Sequence, residues 1–329
     1  MSGTTVLAPE ATRTPVITGV GLALPGVETP ADLPGRAEPG TEPVDPAARI
    51  GKKGLRYKDR ATHLGLVVAH DALRAAGLLE GEKLDTRLTV EPSSVAVVVS
   101  SNFGNLDSVT DVVDTVAAEK SSRLVSPIVT PNLSSNVIAS EVAIRFTLRG
   151  PNLTVCNGAT GGLDAVGWAL SWLRAGRARY VLVIGVEPDN AVVRKLQGTD
   201  RVLDGAAAVV LELPATAAER SAEVLAECVA STRTSSVAGC VAALTGDGGA
   251  PAGWYVPEGA DAPDADVLPG VDRVDLAGVW GRASGALGVL QVASAAARFA
   301  AGERGALLTV SGSDGDDGVA GVLVRPGRD

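Results

Sequence analysis

Two segments of the chain repeat one pattern, and of all the sequence features this repetition most restricts the folds that the chain can adopt. GLDAVGWALSWLRAGRARYVLVIG covers residues 162–185, and GALGVLQVASAAARFAAGERGALLTVSG covers residues 285–312. Each segment consists of a glycine-led apolar helix, an Ala-Gly turn with a basic residue, and a buried strand that ends in glycine. The repetition predicts two copies of one βαβ-type unit, and therefore an α/β architecture built from two similar halves.

The rest of the chain supplies further strands and helices in alternation. The continuous β-branched run at 95–99 predicts a strand covered on both faces, and the spacing of apolar residues predicts a helix over 60–76 that stops at Gly77. The other predicted elements are strands at 16–20, 153–155, 180–184 and 207–213 and helices at 162–175 and from about 134. Six prolines make residues 25–46 a predicted loop, and a Gly-, Pro- and Asp-rich stretch at 245–275 predicts a surface excursion. We divide the chain into halves at 1–214 and 215–329.

Charge and hydropathy exclude several classes of function. The chain of 329 residues has 29 basic and 38 acidic side chains, a net charge of −9. Such a surface repels phosphate backbones, which argues against a nucleic-acid partner. The start of the sequence does not resemble a signal peptide, and the longest apolar stretch, 286–301, is too short to span a bilayer. We therefore expect a cytoplasmic protein with no membrane partner.

Cysteine and histidine are scarce enough to limit the chemistry. Cys156, Cys228 and Cys240 have no paired spacing, so the sequence predicts neither a disulfide framework nor a zinc site. The two histidines, His63 and His70, lie seven residues apart on the 60–76 helix. We expect them to be surface or half-buried side chains and not metal ligands, with Asp71 off their helical face.

An acidic stretch near the end of the chain is the other candidate for metal binding. Asp314, Asp316 and Asp317 lie in SGSDGDDG, which lacks the terminal glutamate of a calcium-binding EF-hand loop. We interpret these residues as a turn, and we expect no metal in this protein.

Seven stretches, in the same order along the chain, resemble the β-ketoacyl synthase family of thiolase-fold condensing enzymes. They are VITGVG (16–21), YKDRAT (57–62), SPIVTPNLSSNVIASEVAIRF (126–146), RGPNLTV (149–155), GGLDAVGWAL (161–170), LDGAAAVVLEL (203–213) and GRASGALGVLQ (281–291). The resemblance implies a five-layer αβαβα fold of two similar halves, here truncated in the second half.

The catalytic positions of that family are not retained. The family's nucleophilic cysteine, which begins the helix at GGLDAVG, aligns with Ala159. One catalytic histidine aligns with Arg282, and the segment that carries the other is missing. Cys156 lies three residues before the nucleophile position, but we expect its side chain to point into the core and to be inert. The sequence therefore predicts no condensation by this chain alone.

This pattern resembles the chain length factor, the inactive subunit that heterodimerises with an active ketosynthase in type II polyketide synthases. The resemblance implies that an acyl carrier protein delivers the growing chain on its phosphopantetheine arm, and that this subunit binds no cofactor of its own. It also implies a set of side chains that line the acyl tunnel and limit chain length, namely Phe103, Leu106, Asp107, Thr110, Val113 and Asp114. A second implied set crosses toward the partner at the dimer interface, namely Pro131, Asn132, Leu133, Ser134 and Ser135.

A basic run precedes the 60–76 helix. It contains one acidic residue, Asp59, and six basic residues, namely Arg49, Lys52, Lys53, Arg56, Lys58 and Arg60. This patch is either a docking surface for an acidic carrier protein or a solvated loop that balances other charges, and the sequence favours neither.

Two alternatives remain beside the chain-length-factor hypothesis. One is a homodimeric ketosynthase-like enzyme with divergent acyl-transfer or thioester chemistry. Its nucleophile would be Ser284 or Ser311, although no histidine nearby in sequence supports either residue. The other is a structural partner that stabilises a synthase without shaping its product.

Overall fold

The computed structural model describes residues 13–33, 42–81, 85–246, 249–259 and 267–327. The strands within these ranges are β1 Val16–Ala23, β2 Leu79–Glu80, β3 Arg87–Leu88, β4 Val95–Ser100, β5 Asn152–Val155, β6 Tyr180–Glu187, β7 Gly205–Glu212, β8 Ala226–Thr234, β9 Gly253–Tyr255, β10 Asp272–Val274, β11 Leu307–Ser311 and β12 Val319–Pro326. The α-helices are α1 Pro46–Ile50, α2 Arg60–Ala75, α3 Leu106–Glu119, α4 Val137–Phe146, α5 Gly161–Arg174, α6 Ala191–Gln197, α7 Pro214–Glu219, α8 Val237–Thr245, α9 Leu276–Trp280 and α10 Leu287–Ala300.

The two halves of the chain form sheets of identical topology. The first sheet has the order β5-β4-β6-β7-β1, and the second has the order β10-β9-β11-β12-β8. In both sheets the three strands at the outer end are parallel, and the last two pair antiparallel. The sheets meet where β1 pairs with β8 through two residue pairs, Val16–Glu227 and Ile17–Ala226. The repetition seen in the sequence is therefore a true structural repeat.

Alternation of side chains along the strands divides the core into layers. In β4, Val95, Val97 and Val99 face the cluster formed with α2 and α4, whereas Ala96 and Val98 face a cluster formed with α5 and α10. That second cluster also includes side chains of β11 and β12, so α5 and α10 lie between the two sheets. Helix α8 covers the outer face of the second sheet. The result is the five-layer αβαβα arrangement of the thiolase-like fold.

Local signals in the sequence placed several element ends correctly. Helix α2 covers Arg60–Ala75, and Gly77 follows with φ of +69°, a conformation that favours glycine. The helix expected from about residue 134 begins at Val137, because residues Thr130–Leu133 form a 3-10 turn first. The expected loop at 25–46 contains a 3-10 turn at Pro30–Asp32, and its residues 34–41 lie outside the described part of the chain.

The surface excursion expected at 245–275 is wrong for part of that segment. Strands β9 and β10 both lie in it, and Trp254 and Tyr255 of β9 are fully buried. A three-residue strand is too short to show alternation within a Gly- and Pro-rich stretch, so the local pattern of residues does not predict it. Residues 247–248 and 260–266 lie outside the described part of the chain.

The halves proposed at 1–214 and 215–329 divide at the start of α7, between β7 and β8, and this boundary stays a prediction. Across the described ranges, every helix is too short or too polar to cross a bilayer.

Candidate functional site

The turn that carries Ala159 lies between β5 and α5. Residues Gly158–Thr160 form a 3-10 turn, and α5 begins directly after it at Gly161. Asp164, in the first turn of α5, accepts hydrogen bonds from Thr160 Oγ1 (2.7 Å) and Asn157 Nδ2 (2.6 Å), which fixes the turn. A side chain at position 159 therefore stands at the positive end of a helix dipole, which would stabilise a thiolate. Here it is a half-buried methyl group with no nucleophilic atom.

Asn102 ties this turn to the loop before α10. Its Nδ2 donates to Gly158 O (2.9 Å) and to Ser284 Oγ (2.8 Å), while Gly158 N donates to Asn102 Oδ1 (3.2 Å). Ser284 has φ of +43°, a left-handed conformation that is unfavourable for serine. Its backbone N–H donates to Glu258 Oε2 (2.9 Å). The equivalent helix starts of the two halves are therefore joined by one side chain.

Glu187, at the end of β6, lies beneath both loops and is fully buried. Its Oε1 accepts from the backbone N–H of Asn102 (2.6 Å) and Gly285 (3.2 Å), and its Oε2 accepts from Phe103 N (3.0 Å) and Ser101 Oγ (3.4 Å). Burial raises the pKa of Glu187 to about 8, although the backbone hydrogen bonds act in the opposite direction. Sequence reasoning missed this residue. The available signal was a single carboxylate at the end of the apolar run YVLVIGVE.

Arg282 does not restore acid–base chemistry at the site. Its side chain is exposed, and its Nη1 lies 3.4 Å from Gln197 Oε1 on α6. Its backbone pairs with Arg201 and Leu203, which holds the chain in place ahead of Ser284. A guanidinium stays charged at all physiological pH values and does not act as a general base.

The serines considered for an enzymatic alternative lack activating partners. The Ser284 hydroxyl accepts from Asn102, and the Ser311 hydroxyl is buried without a hydrogen-bond partner in the described structure. Both histidines belong to α2, on the far side of the first sheet from α5 and α10. No Ser-His pair is therefore assembled within the described residues.

The expectation that Cys156 points into the core is wrong, because its side chain is exposed. It lines an open cavity of about 640 Å³ between β5, α5 and β8, together with Trp168 and Arg233. Partial burial and the nearby Glu187 raise the pKa of the Cys156 thiol. The thiol is thus disfavoured as a nucleophile for an electrostatic reason and not because it is inaccessible. Cys228 and Cys240 are buried, and burial raises their pKa values to about 12 and about 11.

The histidines differ from expectation in two respects, because His70 is buried and because it contacts Asp71. His63 Nε2 donates to Leu55 O (2.7 Å), as a half-buried side chain can. His70 is buried, and its Nδ1 lies 2.9 Å from Oδ1 of Asp71, which also pairs with Arg49. Asp71 was placed off the histidine face and in fact contacts it, because the two side chains are sequence neighbours that turn toward each other.

The acidic stretch at 314–317 forms a turn, as predicted. Asp314 Oδ1 accepts from Val237 N (2.7 Å) and caps α8, and Asp316 Oδ2 accepts from Ser313 N (2.7 Å). Asp317 is exposed. Within the described ranges, no three His, Cys, Asp or Glu side chains converge as a metal site would require.

Helix α3 carries most of the expected tunnel residues and buries none of its side chains. It packs mainly against α6 and the 3-10 turn Thr130–Leu133 and not against the first sheet. Phe103, Leu106 and Thr110 are half-buried, whereas Asp107, Val113 and Asp114 are exposed. Further large apolar side chains are exposed nearby, namely Val116, Leu124, Ile128 and Leu196.

The expected interface segment is only partly at the surface. Pro131, Ser134 and Ser135 are exposed, and Leu133 is half-buried. Asn132 is buried, and its Nδ2 donates to Tyr57 O (2.7 Å). This hydrogen bond holds the 3-10 turn to its own chain, and the role of the segment at a dimer interface stays a prediction.

The basic patch is divided by ion pairs that the sequence did not reveal. Arg49 pairs with Asp71, Lys58 with Glu141, and Arg60 makes a bidentate contact with Asp204. These three cations are therefore paired with carboxylates of the same chain, and carrier-protein docking by the patch stays a prediction. The other three, Lys52, Lys53 and Arg56, are exposed, and we call them the exposed basic triplet.

Comparisons with known proteins agree with this geometry. The sequence profile described as beta-ketoacyl synthase, N-terminal domain, matches residues 35–193. A 3-oxoacyl-[acyl-carrier-protein] synthase 2 of Vibrio harveyi is 30% identical over 138 residues, which are 42% of this chain and 31% of that protein. The granaticin polyketide putative beta-ketoacyl synthase 1 of Streptomyces violaceoruber is 28% identical over 198 residues, 52% of this chain and 45% of that protein. The chain thus matches less than half the length of these curated relatives.

Solved structures share the fold over nearly the whole chain. The ishigamide ketosynthase/chain length factor has a TM-score of 0.75 at 22% identity, with 95% of this chain and 99% of that chain covered. A type II PKS acyl-carrier protein in complex with its ketosynthase bound to the hexaketide (AntDE:AntF) gives a TM-score of 0.79 at 16% identity, with the same coverage.

Proposed function

We propose that the chain is a non-catalytic, chain-length-factor-like subunit, on the basis of the match of its residues 35–193 to the beta-ketoacyl synthase N-terminal domain. In this proposal it heterodimerises in the cytosol with an active ketosynthase of a type II polyketide synthase. The partner supplies the cysteine and both histidines, and this chain supplies one wall of the acyl tunnel.

The observation that carries the proposal is the intact nucleophile turn without a nucleophile. The 3-10 turn, the helix start at Gly161 and the clamp from Asn102 are all present around Ala159. The chain therefore has a turn and helix start of the kind that holds a nucleophile, but no nucleophile. A site that keeps its turn and helix start but has no nucleophile favours a role that depends on the shape of the site.

Unburied apolar surface supports a protein partner. Val113 on α3 is 58% exposed and Trp168 on α5 is 51% exposed. Strand β5 lies at the end of its sheet and, among the described strands, pairs with β4 only. Open strand edges and large apolar patches are usually covered in stable proteins. Trp168 and residues 153–155 of β5 line the same open cavity, so a second subunit seated there would cover both of these features.

We propose that the acyl carrier protein docks on the exposed basic triplet. Lys52, Lys53 and Arg56 are exposed cations on a chain with net charge −9, and carrier proteins of this family are acidic. Complementary charge would steer the encounter and orient the phosphopantetheine arm toward the shared tunnel. This subunit needs no cofactor of its own in that role.

The tunnel hypothesis is tested by side-chain volume. Phe103→Ala and Leu106→Ala each remove apolar volume from the expected wall, so the complex should release longer chains, measured by mass spectrometry of its products. Val112→Ala is the matched control, because it shortens a half-buried side chain on the same helix outside the expected tunnel set. An unchanged product set from both tunnel variants in an active complex would favour a structural partner that does not shape the product.

A further inference from the structure

The Glu187 carboxylate joins three segments that are distant in sequence. Both of its oxygens accept backbone hydrogen bonds, from Asn102 and Gly285 on Oε1 and from Phe103 on Oε2. A carboxyl group keeps a lone pair on each oxygen in both its ionised and its protonated form, whereas an amide of the same shape offers one acceptor and one donor. The site is therefore matched to glutamate and not to glutamine.

The fit around this carboxylate is close. A Cβ atom added to Gly285 would lie 2.9 Å from Glu187 Oε1, nearer than real Cβ atoms approach. Ser100 Oγ donates to Gly285 O (2.7 Å), so this glycine is held from both sides. Movement of the carboxylate would consequently move the loop at Gly285 as well.

The same network reaches the expected tunnel wall. Phe103 is the first of the tunnel residues, and its backbone N–H is bound directly by Glu187. The backbone of the neighbouring residue, Asn102, is also bound by Glu187, and its side chain donates hydrogen bonds to Gly158 and Ser284. The carboxylate thereby sets where the tunnel segment starts relative to the turn at Ala159.

We propose that Glu187 is a positioning residue for chain-length selection, which acts by fixing the Phe103 end of the tunnel segment against the Ala159 turn. This inference rests on the proposed function, since it assumes that residues from Phe103 onward line the tunnel. Glu187 touches no substrate in this scheme and acts through Phe103 and Asn102.

The chain offers a matched control at the opposite end of the same two strands. Glu212 is also fully buried, accepts from Thr18 Oγ1 (2.6 Å) and pairs with Arg220. In the β6–β7 register, Tyr180 faces Glu212 and Glu187 faces Gly205, so the two carboxylates lie at opposite ends of this strand pair. Glu212→Gln removes a buried carboxylate without touching the tunnel segment.

The experiment compares Glu187→Gln, Asn102→Ala and Glu212→Gln in the complex co-purified with the ketosynthase. Glu187→Gln leaves backbone donors without an acceptor, so amide exchange at Phe103 or Gly285 should rise by at least about tenfold in this chain. The ratio of product lengths should shift in Glu187→Gln and Asn102→Ala. In Glu212→Gln it should stay unchanged even where the yield of complex falls, as a purely structural role would require.

The outcomes separate the inference from the function on which it rests. An active Glu187→Gln complex with an unchanged product ratio overturns the inference alone. Should that variant give no complex, Asn102→Ala decides, because it keeps the carboxylate and removes only the bridge to Gly158 and Ser284. A wild-type complex that elongates no chain refutes the proposed function, and the inference with it, before any variant is compared.

Discussion

The buried carboxylate of Glu187 predicts an unusual dependence of stability on pH. Its folded-state pKa is about 8, against about 4.3 to 4.5 for an unperturbed glutamate. Between these values the folded state holds a proton that the unfolded state has released. The contribution to stability is therefore fully present below the unfolded pKa and is lost as the pH rises through the folded pKa.

The magnitude follows from the two pKa values. Each pH unit over which only the folded state holds the proton lowers the free energy of unfolding by about 1.4 kcal/mol. Between pH 6 and pH 9 this applies to about two pH units, up to the folded-state pKa, so the free energy of unfolding should fall by about 3 kcal/mol. The range begins at pH 6 because the sequence pI is near 4.9, where solubility is lowest. Urea unfolding followed by tryptophan fluorescence measures this fall, since the chain has four tryptophans.

Glu187→Gln isolates the contribution of Glu187 to the pH dependence of stability, because a glutamine side chain does not titrate and the other titratable groups are unchanged. Burial also raises the pKa of Asp59, but that residue contributes equally to both proteins and cancels in the difference. We expect the difference in unfolding free energy between wild type and variant to change by about 3 kcal/mol between pH 6 and pH 9. Parallel pH profiles for the two proteins would refute the reasoning, because they would mean that the backbone N–H groups outweigh burial and keep Glu187 ionised.

Further substitutions test other parts of the account. Arg60→Ala leaves Asp204 without its bidentate partner, so it should lower the free energy of unfolding, measured in urea, by about 2 kcal/mol. Lys52→Ala should change that free energy by less than about 0.5 kcal/mol but should weaken carrier-protein binding in a salt-dependent way, measured by calorimetry. Equal effects of the two variants on stability would contradict the division of the basic patch. Ala159→Cys should gain a thiol that iodoacetamide labels, shown by peptide mass spectrometry, but should release no carbon dioxide from malonyl carrier protein alone, because Arg282 replaces the family's histidine. Val113→Asp places a charge on exposed apolar surface and should weaken heterodimer formation at least about tenfold in sedimentation experiments; an unchanged dissociation constant would remove α3 from the interface.

Local patterns in the sequence were sufficient for the architecture. The β-branched run at 95–99 gave a strand covered on both faces, and the duplicated helix–strand segment gave the two-sheet repeat, because both signals lie within short windows of sequence. Strand β9 escaped notice because its burial depends on β10 and β11 beside it and not on its own three residues.

The site was less accessible to sequence reasoning because its contacts are long-range. Glu187 meets Asn102 and Gly285 across separations of 85 and 98 residues, which no local pattern encodes. The ion pairs within the basic run escaped sequence reasoning for the same reason, since Arg60 pairs with Asp204 across 144 residues. Ala159 was identified from the family resemblance, and the structure has a 3-10 turn and a helix start around it, as that resemblance implies.

The central claim is that this chain does no condensation alone but directs it in a complex, and one measurement tests it most directly. The chain is purified alone and co-expressed with a type II polyketide ketosynthase, and mass and malonyl elongation are measured for both preparations. The account predicts a one-to-one complex that elongates malonyl units and an isolated chain that is inert. A stable homodimer that turns over an acyl thioester without the ketosynthase would contradict it.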